Sequence, residues 1–180
     1  MLLQLKKIIN QNLIDEASLN EALSNFKCEK DKDVQGFLKE KSIKFENEGQ
    51  TATYILFNDE VSNDNNLQID GYFSLALKVF SFSSDISNRQ KSKISGKKDK
   101  EVPAYLIGQL ARNDLAKKGI GKELINLAIQ NIKNAQNYVG GRIVYLDCKD
   151  ELISYYEEFG FKFIQKNIND DTLNQMYLII

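Results

Sequence analysis

The sequence predicts a mixed α/β (α+β) fold, a central, mostly antiparallel twisted sheet flanked by helices. Three observations carry this. The β-forming runs 51–57 and 67–80 are separated only by polar turn residues, as antiparallel neighbours are. The run 104–111 is nearly all apolar, as a strand covered on both faces must be. After it, Ile120, Leu124, Leu127, Ala128, Ile132 and Ala135 share one helical stripe, and a further strand follows at 142–148. Helices, then antiparallel strands, then strand-helix-strand-helix-strand-strand is the order of a mixed sheet, not of a doubly wound parallel one.

In chain order, Ser18-Leu-Asn-Glu21 has the capping-box pattern, so a helix is expected from Leu19 with Leu19, Leu23 and Phe26 inward. Asp33 can cap a second helix reaching Phe45, packed through Val34, Phe37 and Leu38. The strand at 51–57 is rich in β-branched and aromatic residues, and 58–66 is polar turn material. Gly71 inside the run 67–80 predicts a bulge or a close backbone approach. Residues 83–101 carry Arg89, Lys91, Lys93, Lys97, Lys98 and Lys100 against Asp85, Asp99 and Glu101, with a helical turn over 85–94. Pro103 opens the strand 104–111. Gly140 and Gly141 end the connection after the long helix. A helix from Asp150 is expected to bury Leu152, Tyr155 and Phe159, with Tyr155 rather than Tyr156 as the core member. Residues 161–164 and 176–180 close the sheet as an antiparallel hairpin around 167–174.

At 180 residues the chain is expected to form one domain, 1–180, with a full core. Net charge −1 gives no global attraction to nucleic acid, so such binding would need a local patch. No apolar run approaches a membrane span, and Met1-Leu-Leu-Gln-Leu-Lys-Lys7 reaches lysine too soon for a signal peptide. The expectation is a cytoplasmic protein with no membrane partner. Histidine is absent, which excludes Ser-His-Asp and Cys-His nucleophile pairs and imidazole-bound zinc; no metal is expected. Acid–base work near neutral pH falls to Asp, Glu, Tyr, Lys or water. Cys28 and Cys148 lack a CxxC spacing and read as two buried free thiols, with a structural disulfide as the alternative.

Two segments carry chemistry. Lys118-Gly-Ile-Gly-Lys-Glu-Leu-Ile125 lies between an apolar strand and an amphipathic helix. A glycine turn at a helix start offers backbone N–H groups and a favourable dipole to a phosphate, and Lys117, Lys118 and Lys122 would add charge. The bland alternative is glycine used for packing. Ser154-Tyr-Tyr-Glu-Glu-Phe-Gly-Phe161 reads as a short helix with a glycine cap and Tyr156 one turn earlier. Asp147, ending the strand before it, can either accept a proton through water or cap the next helix.

In this order, the two segments resemble the acetyl-CoA-binding half of the GNAT superfamily of N-acetyltransferases. The family's loop pattern is Arg or Gln, two residues, Gly, one residue, Gly, one residue, then Gly or Ala. Gly119 and Gly121 fill its second and third small positions, Lys117 stands where the first glycine belongs, and the segment is one residue short. Tyr156, Gly160 and Phe161 match the family's Tyr, three residues, Gly, Phe ending. The first half, through Phe26-Lys-Cys28, Val34-Gln-Gly-Phe-Leu38, Ala52-Thr-Tyr-Ile-Leu56 and Gly71-Tyr-Phe-Ser-Leu75, is similar to toxin-type acetyltransferases that modify aminoacyl-tRNA.

The resemblance implies a GNAT-like sheet with one splayed parallel strand pair. It implies acetyl-CoA as co-substrate, its diphosphate over Lys117, Lys118, Gly119, Ile120, Gly121 and Lys122. Its pantetheine arm would lie beside the backbone of Leu110, Ala111 and Arg112, where the central strand leaves its partner at 143–147. Tyr156 would donate to the departing thiolate, with Asp147 the candidate base. A primary amine would attack directly in a ternary complex; small-molecule, protein and aminoacyl-tRNA acceptors all stay open. A homodimer and an antitoxin partner are further implications. The residues 83–101 are then either a solvated connection or a cationic flap over an anionic substrate or the cofactor's phosphates. The alternative on the same fold is a catalytically silent acyl-CoA-binding or interaction domain.

Overall fold

The computed structural model of the chain describes residues 1–60 and 67–180, so most of the turn expected at 58–66 lies outside the described residues. Seven strands form one sheet: β1 (Leu2–Gln4), β2 (Ala52–Phe57), β3 (Ile69–Ser81), β4 (Glu101–Arg112), β5 (Ile143–Cys148), β6 (Lys162–Lys166) and β7 (Asn174–Ile179). Their spatial order is β1-β2-β3-β4-β5-β7-β6. The described pairs are antiparallel except β4 with β5, which is parallel. The chain divides into two compact units, residues 1–76 with 109–128 and residues 77–108 with 129–180.

The first unit begins with β1 and α1 (Leu5–Gln11), neither of which the sequence reading picks out. Leu5 and Ile8 of α1 are fully buried, but the lysines between them mask the apolar spacing. Helix α2 (Glu16–Asn25) starts earlier than expected, because Asp15 rather than Ser18 is the cap; the Ser18 N–H donates to Asp15 Oδ1 at 3.0 Å. Likewise Asp31, not Asp33, caps α3 (Lys32–Gly36), and the helical path continues through a π-helical turn (Phe37–Lys41) into α4 (Ser42–Asn47). The expected inward residues Leu19, Leu23, Phe26, Phe37 and Leu38 do form this unit's core. Tyr72 on β3 organises it: its ring meets Phe26 edge-on at 5.6 Å and stacks on Phe37 at 6.3 Å. The Tyr72 hydroxyl donates to the Val34 carbonyl at 2.5 Å, so the buried phenol is satisfied.

Gly71 adjoins a bulge and is itself a close approach. The β2–β3 register pairs Leu56 with Gly71 but Phe57 with Ile69, so Asp70 is the extra residue. A Cβ on Gly71 would lie 2.7 Å from the Ala111 carbonyl oxygen and 2.6 Å from Leu124 Cδ1. The missing side chain lets β4 and the next helix, α6 (Ile120–Gln136), seat against β3. Along α6, Leu124, Ile125, Ala128 and Ile132 are buried and Leu127 is half-buried, while the expected Ala135 is exposed in the last turn.

The second unit packs Phe80 and Phe82 of the β3 arm against Ile86, Ile94, Val102, Ala104, Ile143 and Tyr145. The helical turn expected at 85–94 is a full helix, α5 (Asn88–Ser95), closed by a Ser87–Gln90 capping box and a left-handed Gly96. Strand β4 starts at Glu101, so Pro103 lies inside it rather than opening it. The proline sits before Tyr105, where pairing with β5 begins, so its missing N–H costs that ladder nothing. That ladder has only two pairs, Tyr105 with Val144 and Leu106 with Tyr145. By contrast, β5 pairs with β7 along its whole length, from Ile143 with Ile179 to Cys148 with Asn174. No described helix is long and apolar enough to cross a membrane.

Gly71→Ala forces the Ala111 carbonyl or the helix behind it to move. It should destabilise the protein by about 1–3 kcal/mol in chemical denaturation, the usual cost of overpacking; an unchanged midpoint would contradict the close approach.

Candidate active site

In the first unit, β4 ends and α6 begins around a tightly pinned loop. Asn113 is buried and works as a clamp: its N–H donates to the Asp70 carbonyl at 2.8 Å and its Nδ2 to the Ile69 carbonyl at 2.8 Å. Its Oδ1 accepts from the Leu115 N–H at 3.1 Å, an Asx turn. Asp114 ties the same loop to the α2–α3 connection, accepting the Glu29 N–H at 2.8 Å. Arg112 donates from Nη1 to the Ala116 carbonyl at 2.7 Å, so this guanidinium braces the turn. Gly119 follows at φ +99°, a left-handed conformation only glycine holds without strain, with nothing within 4 Å of where a Cβ would stand. The Glu123 N–H bonds back to the Gly119 carbonyl at 3.1 Å and the Ile120 N–H to the Lys117 carbonyl at 3.5 Å, so Ile120, Gly121 and Lys122 form the helix's first turn. Lys118 is exposed, while Lys117 is paired with Glu60 at 2.6 Å. Of the residues expected along the strand, Ala111 is buried and Leu110 and Arg112 are half-buried.

In the second unit, a 3-10 turn (Asp150–Leu152) leads into α7 (Ile153–Glu157). The expected inward face is one residue out of phase. Leu152 is exposed, Tyr155 and Phe159 are half-buried, and Tyr156 is the buried member at 8 % exposure. The 3-10 start winds tighter than an α-helix and shifts the inward stripe, which periodicity alone does not register. The Tyr, three residues, Gly, Phe spacing has a physical origin here. Gly160 at φ +84° reverses the chain, and the Phe161 N–H bonds to the Tyr156 carbonyl at 3.3 Å. The fully buried Phe161 ring then meets the Tyr156 ring edge-on at 5.9 Å, and Tyr155 covers it at 5.6 Å. Burial, with smaller contributions from Cys148 and Tyr155, raises the Tyr156 phenol well above its ordinary value of 10.0. It is therefore protonated throughout the neutral range, and its hydroxyl makes no hydrogen bond to another described residue.

Alternation along β5 puts neighbouring side chains on opposite faces. Cys148 faces the buried side with Met176, 3.5 Å between the sulfurs, and its thiol is pushed up to about 11, mainly by burial. Asp147 faces the other way, into a cavity of about 520 Å³ that it lines with Phe80, Leu106, Tyr145, Lys78 and Lys100. It does not cap the following turn; Lys149 stands at that position, without a side-chain cap. The Asn167 amide donates to Asp147 Oδ1 at 2.8 Å. Burial raises the Asp147 carboxyl above its ordinary 3.8, against the lowering effect of the Asn167 and Gln175 hydrogen bonds. Sequence reasoning missed the Asn113 clamp and the bracing use of Arg112. The Asn113-Asp114 pair directly after an apolar strand was the available sign. No group of acidic or cysteine side chains suited to a metal ion occurs among the described residues.

No protein-family model and no curated protein matches the chain. Solved structures do. AtaTR bound with AcCoA superposes with a TM-score of 0.72 at 20 % identity, over 99 % of this chain and 92 % of that one. AtaT complexed with acetyl-methionyl-tRNAfMet gives 0.70 at 20 % identity, over 97 % and 92 %. A mutant AtaT toxin bound to the C-terminus of the antitoxin AtaR and acetyl-CoA gives 0.69 at 17 % identity, over 99 % and 92 %. The chain has the GNAT-like fold of these structures, a mixed twisted sheet flanked by helices.

The raised Asp147 carboxyl has a consequence for stability. Between 3.8 and the higher folded value, the folded state binds more protons than the unfolded one, so this group's contribution falls as pH rises. Asp147→Asn should be more stable than the parent at neutral pH, and the difference should shrink as the pH falls toward 4 in denaturation curves. A difference that grows on acidification would contradict the burial of this carboxylate.

Proposed function

We propose that the chain is an acetyl-CoA-dependent N-acetyltransferase whose acceptor is the amino group of an aminoacyl-tRNA. The observation that carries the reading is the two-pair β4–β5 ladder, in the fold that AtaTR has when bound with AcCoA. Past Leu106 and Tyr145, amides and carbonyls of strands that run on need partners, and the amide-bearing arm of coenzyme A is a strand-like ligand. The backbone of Leu110, Ala111 and Arg112 is the proposed contact. The open Gly119 turn fits the diphosphate: a Cβ would fill the space beside N–H groups that begin a 17-residue helix. Lys118 and Lys122 would add charge, and Lys117 would do so on leaving Glu60, an exposed pair of the kind that contributes little.

In the reaction, a neutral amine attacks the thioester carbon. An N–C bond forms, the C–S bond breaks, and the nitrogen loses a proton. Asp147 on the cavity face is the proposed proton acceptor, through water. Tyr156 is the proposed donor to the leaving sulfur. A coenzyme A thiol sits near pKa ~8.5, so full transfer from a phenol held above 10.0 is uphill. The phenol then acts through a hydrogen bond that strengthens as negative charge builds on sulfur. AtaT with acetyl-methionyl-tRNAfMet supports the acceptor, and AtaT with the AtaR C-terminus supports an antitoxin partner. A single functional domain over 1–180, a homodimer and a cytoplasmic location belong to the same proposal.

Thiol release from acetyl-CoA with aminoacyl-tRNA tests it. Tyr156→Phe should lower turnover 10- to 100-fold while acetyl-CoA still raises its Tm. Full activity of the variant would remove Tyr156 from the chemistry. A Tm shift with no thiol release for any amine would make the chain a silent acyl-CoA binder, and no shift at all would overturn both.

A further inference from the structure

Helix α5 and the turn after it carry a concentration of positive charge that the fold itself does not use. Residues 86–98 hold Arg89, Lys91, Lys93, Lys97 and Lys98 and no carboxylate, in a chain whose net charge is −1. None of the five makes an ion pair among the described residues. The helix is anchored by Ile86 and Ile94 in the core of its unit, so Arg89, Lys93, Lys97 and Lys98 stay exposed. Arg89 and Lys93 are one turn apart, a like-charge spacing that weakens a helix. Arg142 adds another cation at the C-terminal end of α5, donating from Nη2 to the Lys93 carbonyl at 3.4 Å. Lys100, two residues past this run, lines the same cavity as Asp147, together with Lys78 and Glu101.

We infer that the exposed cationic side of α5 and its C-terminal turn bind the phosphate backbone of the RNA whose aminoacyl end enters the Asp147 cavity. The inference rests on the acetyltransferase reading above and adds the surface that holds the acceptor. Eight helical residues extend about 12 Å, enough to meet several phosphates of a strand carrying one charge every few ångström. Unpaired lysines and arginines without an accompanying aromatic or hydrogen-bonding code position a backbone and do not read bases. Lys78 and Lys100 line the cavity beside Glu101 and the carboxylate proposed to take the amine's proton, so the positive charge outside it is that of α5 and its turn. The acceptor is then chosen by charge along its body and by an amine at its end.

The test compares the parent with Lys93→Gln/Lys97→Gln/Lys98→Gln, and with Lys7→Gln/Lys41→Gln/Lys44→Gln as a control of equal charge loss. Binding of uncharged tRNA is followed by fluorescence anisotropy across a salt series, and acetylation of an aminoacyl-adenosine serves as the small-acceptor readout. In the α5 variant, tRNA affinity should fall at least tenfold near 0.1 M salt. The log–log salt slope should become shallower by about 2 to 3, the loss expected for three phosphate contacts. Turnover of the small acceptor should be unchanged, and the control should bind tRNA like the parent. Equal losses in both variants, or an unchanged slope in the α5 variant, would overturn the assignment while leaving the acetyltransferase reading standing. A parent that binds tRNA through these lysines but neither binds acetyl-CoA nor acetylates any amine would keep the surface and sink that reading.

Discussion

A parallel ladder that stops after two pairs is the constraint on which the proposed chemistry depends. Strand β5 is fixed along its length by β7, and β4 is held toward β3 by the Asn113–Asp70 and Phe82–Lys100 backbone bonds. Their shared ladder covers only Tyr105 and Leu106 against Val144 and Tyr145, although both strands run on. Backbone polar groups in a buried sheet are costly to leave without partners. In the proposed reading, backbone groups of β4 past Leu106 would serve an extended ligand rich in amides.

The two faces of β5 divide the remaining work. On one side, the αL glycine at 160 folds Phe161 back onto Tyr156, so the phenol is locked by packing and kept protonated by burial. On the other, Asp147 looks into a cavity of mixed lining, with Phe80, Leu106 and Tyr145 beside Lys78, Lys100 and Glu101. In the proposed reading, the phenol would serve the leaving sulfur and the carboxylate would take the proton of the attacking amine through water. The turn proposed for the diphosphate would rely on conformation rather than side chains: Gly119 has a positive φ, and the loop before it is clamped by Asn113 and Asp114.

Much of this was legible in the residues. The apolar run at 104–111, the stripe from Ile120 to Ile132 and the terminal hairpin are dominated by burial periodicity, and the structure follows them. Gly71 was legible as a special backbone position because an isolated glycine inside a β run has few other uses. What failed were features set by partners distant in sequence. The α1 helix is specified by Leu5 and Ile8 packing on β2 and its neighbours, which no local pattern announces. Two aspartates, at 15 and 31, cap in place of Ser18 and Asp33 because each stands where its carboxylate reaches free N–H groups of the first turn, Ser18 from Asp15 and Asp33 and Val34 from Asp31. Tyr156 replaced Tyr155 in the core because a 3-10 turn reset the helical phase.

The most direct measurement is amide hydrogen exchange with and without acetyl-CoA. A ligand that completes the β4 backbone and caps α6 should slow exchange in residues 107–112 and 119–122, together with the α7 segment around Tyr156. Protection confined to other regions, or none at a concentration that raises Tm, would contradict main-chain capture of the cofactor at the interrupted ladder.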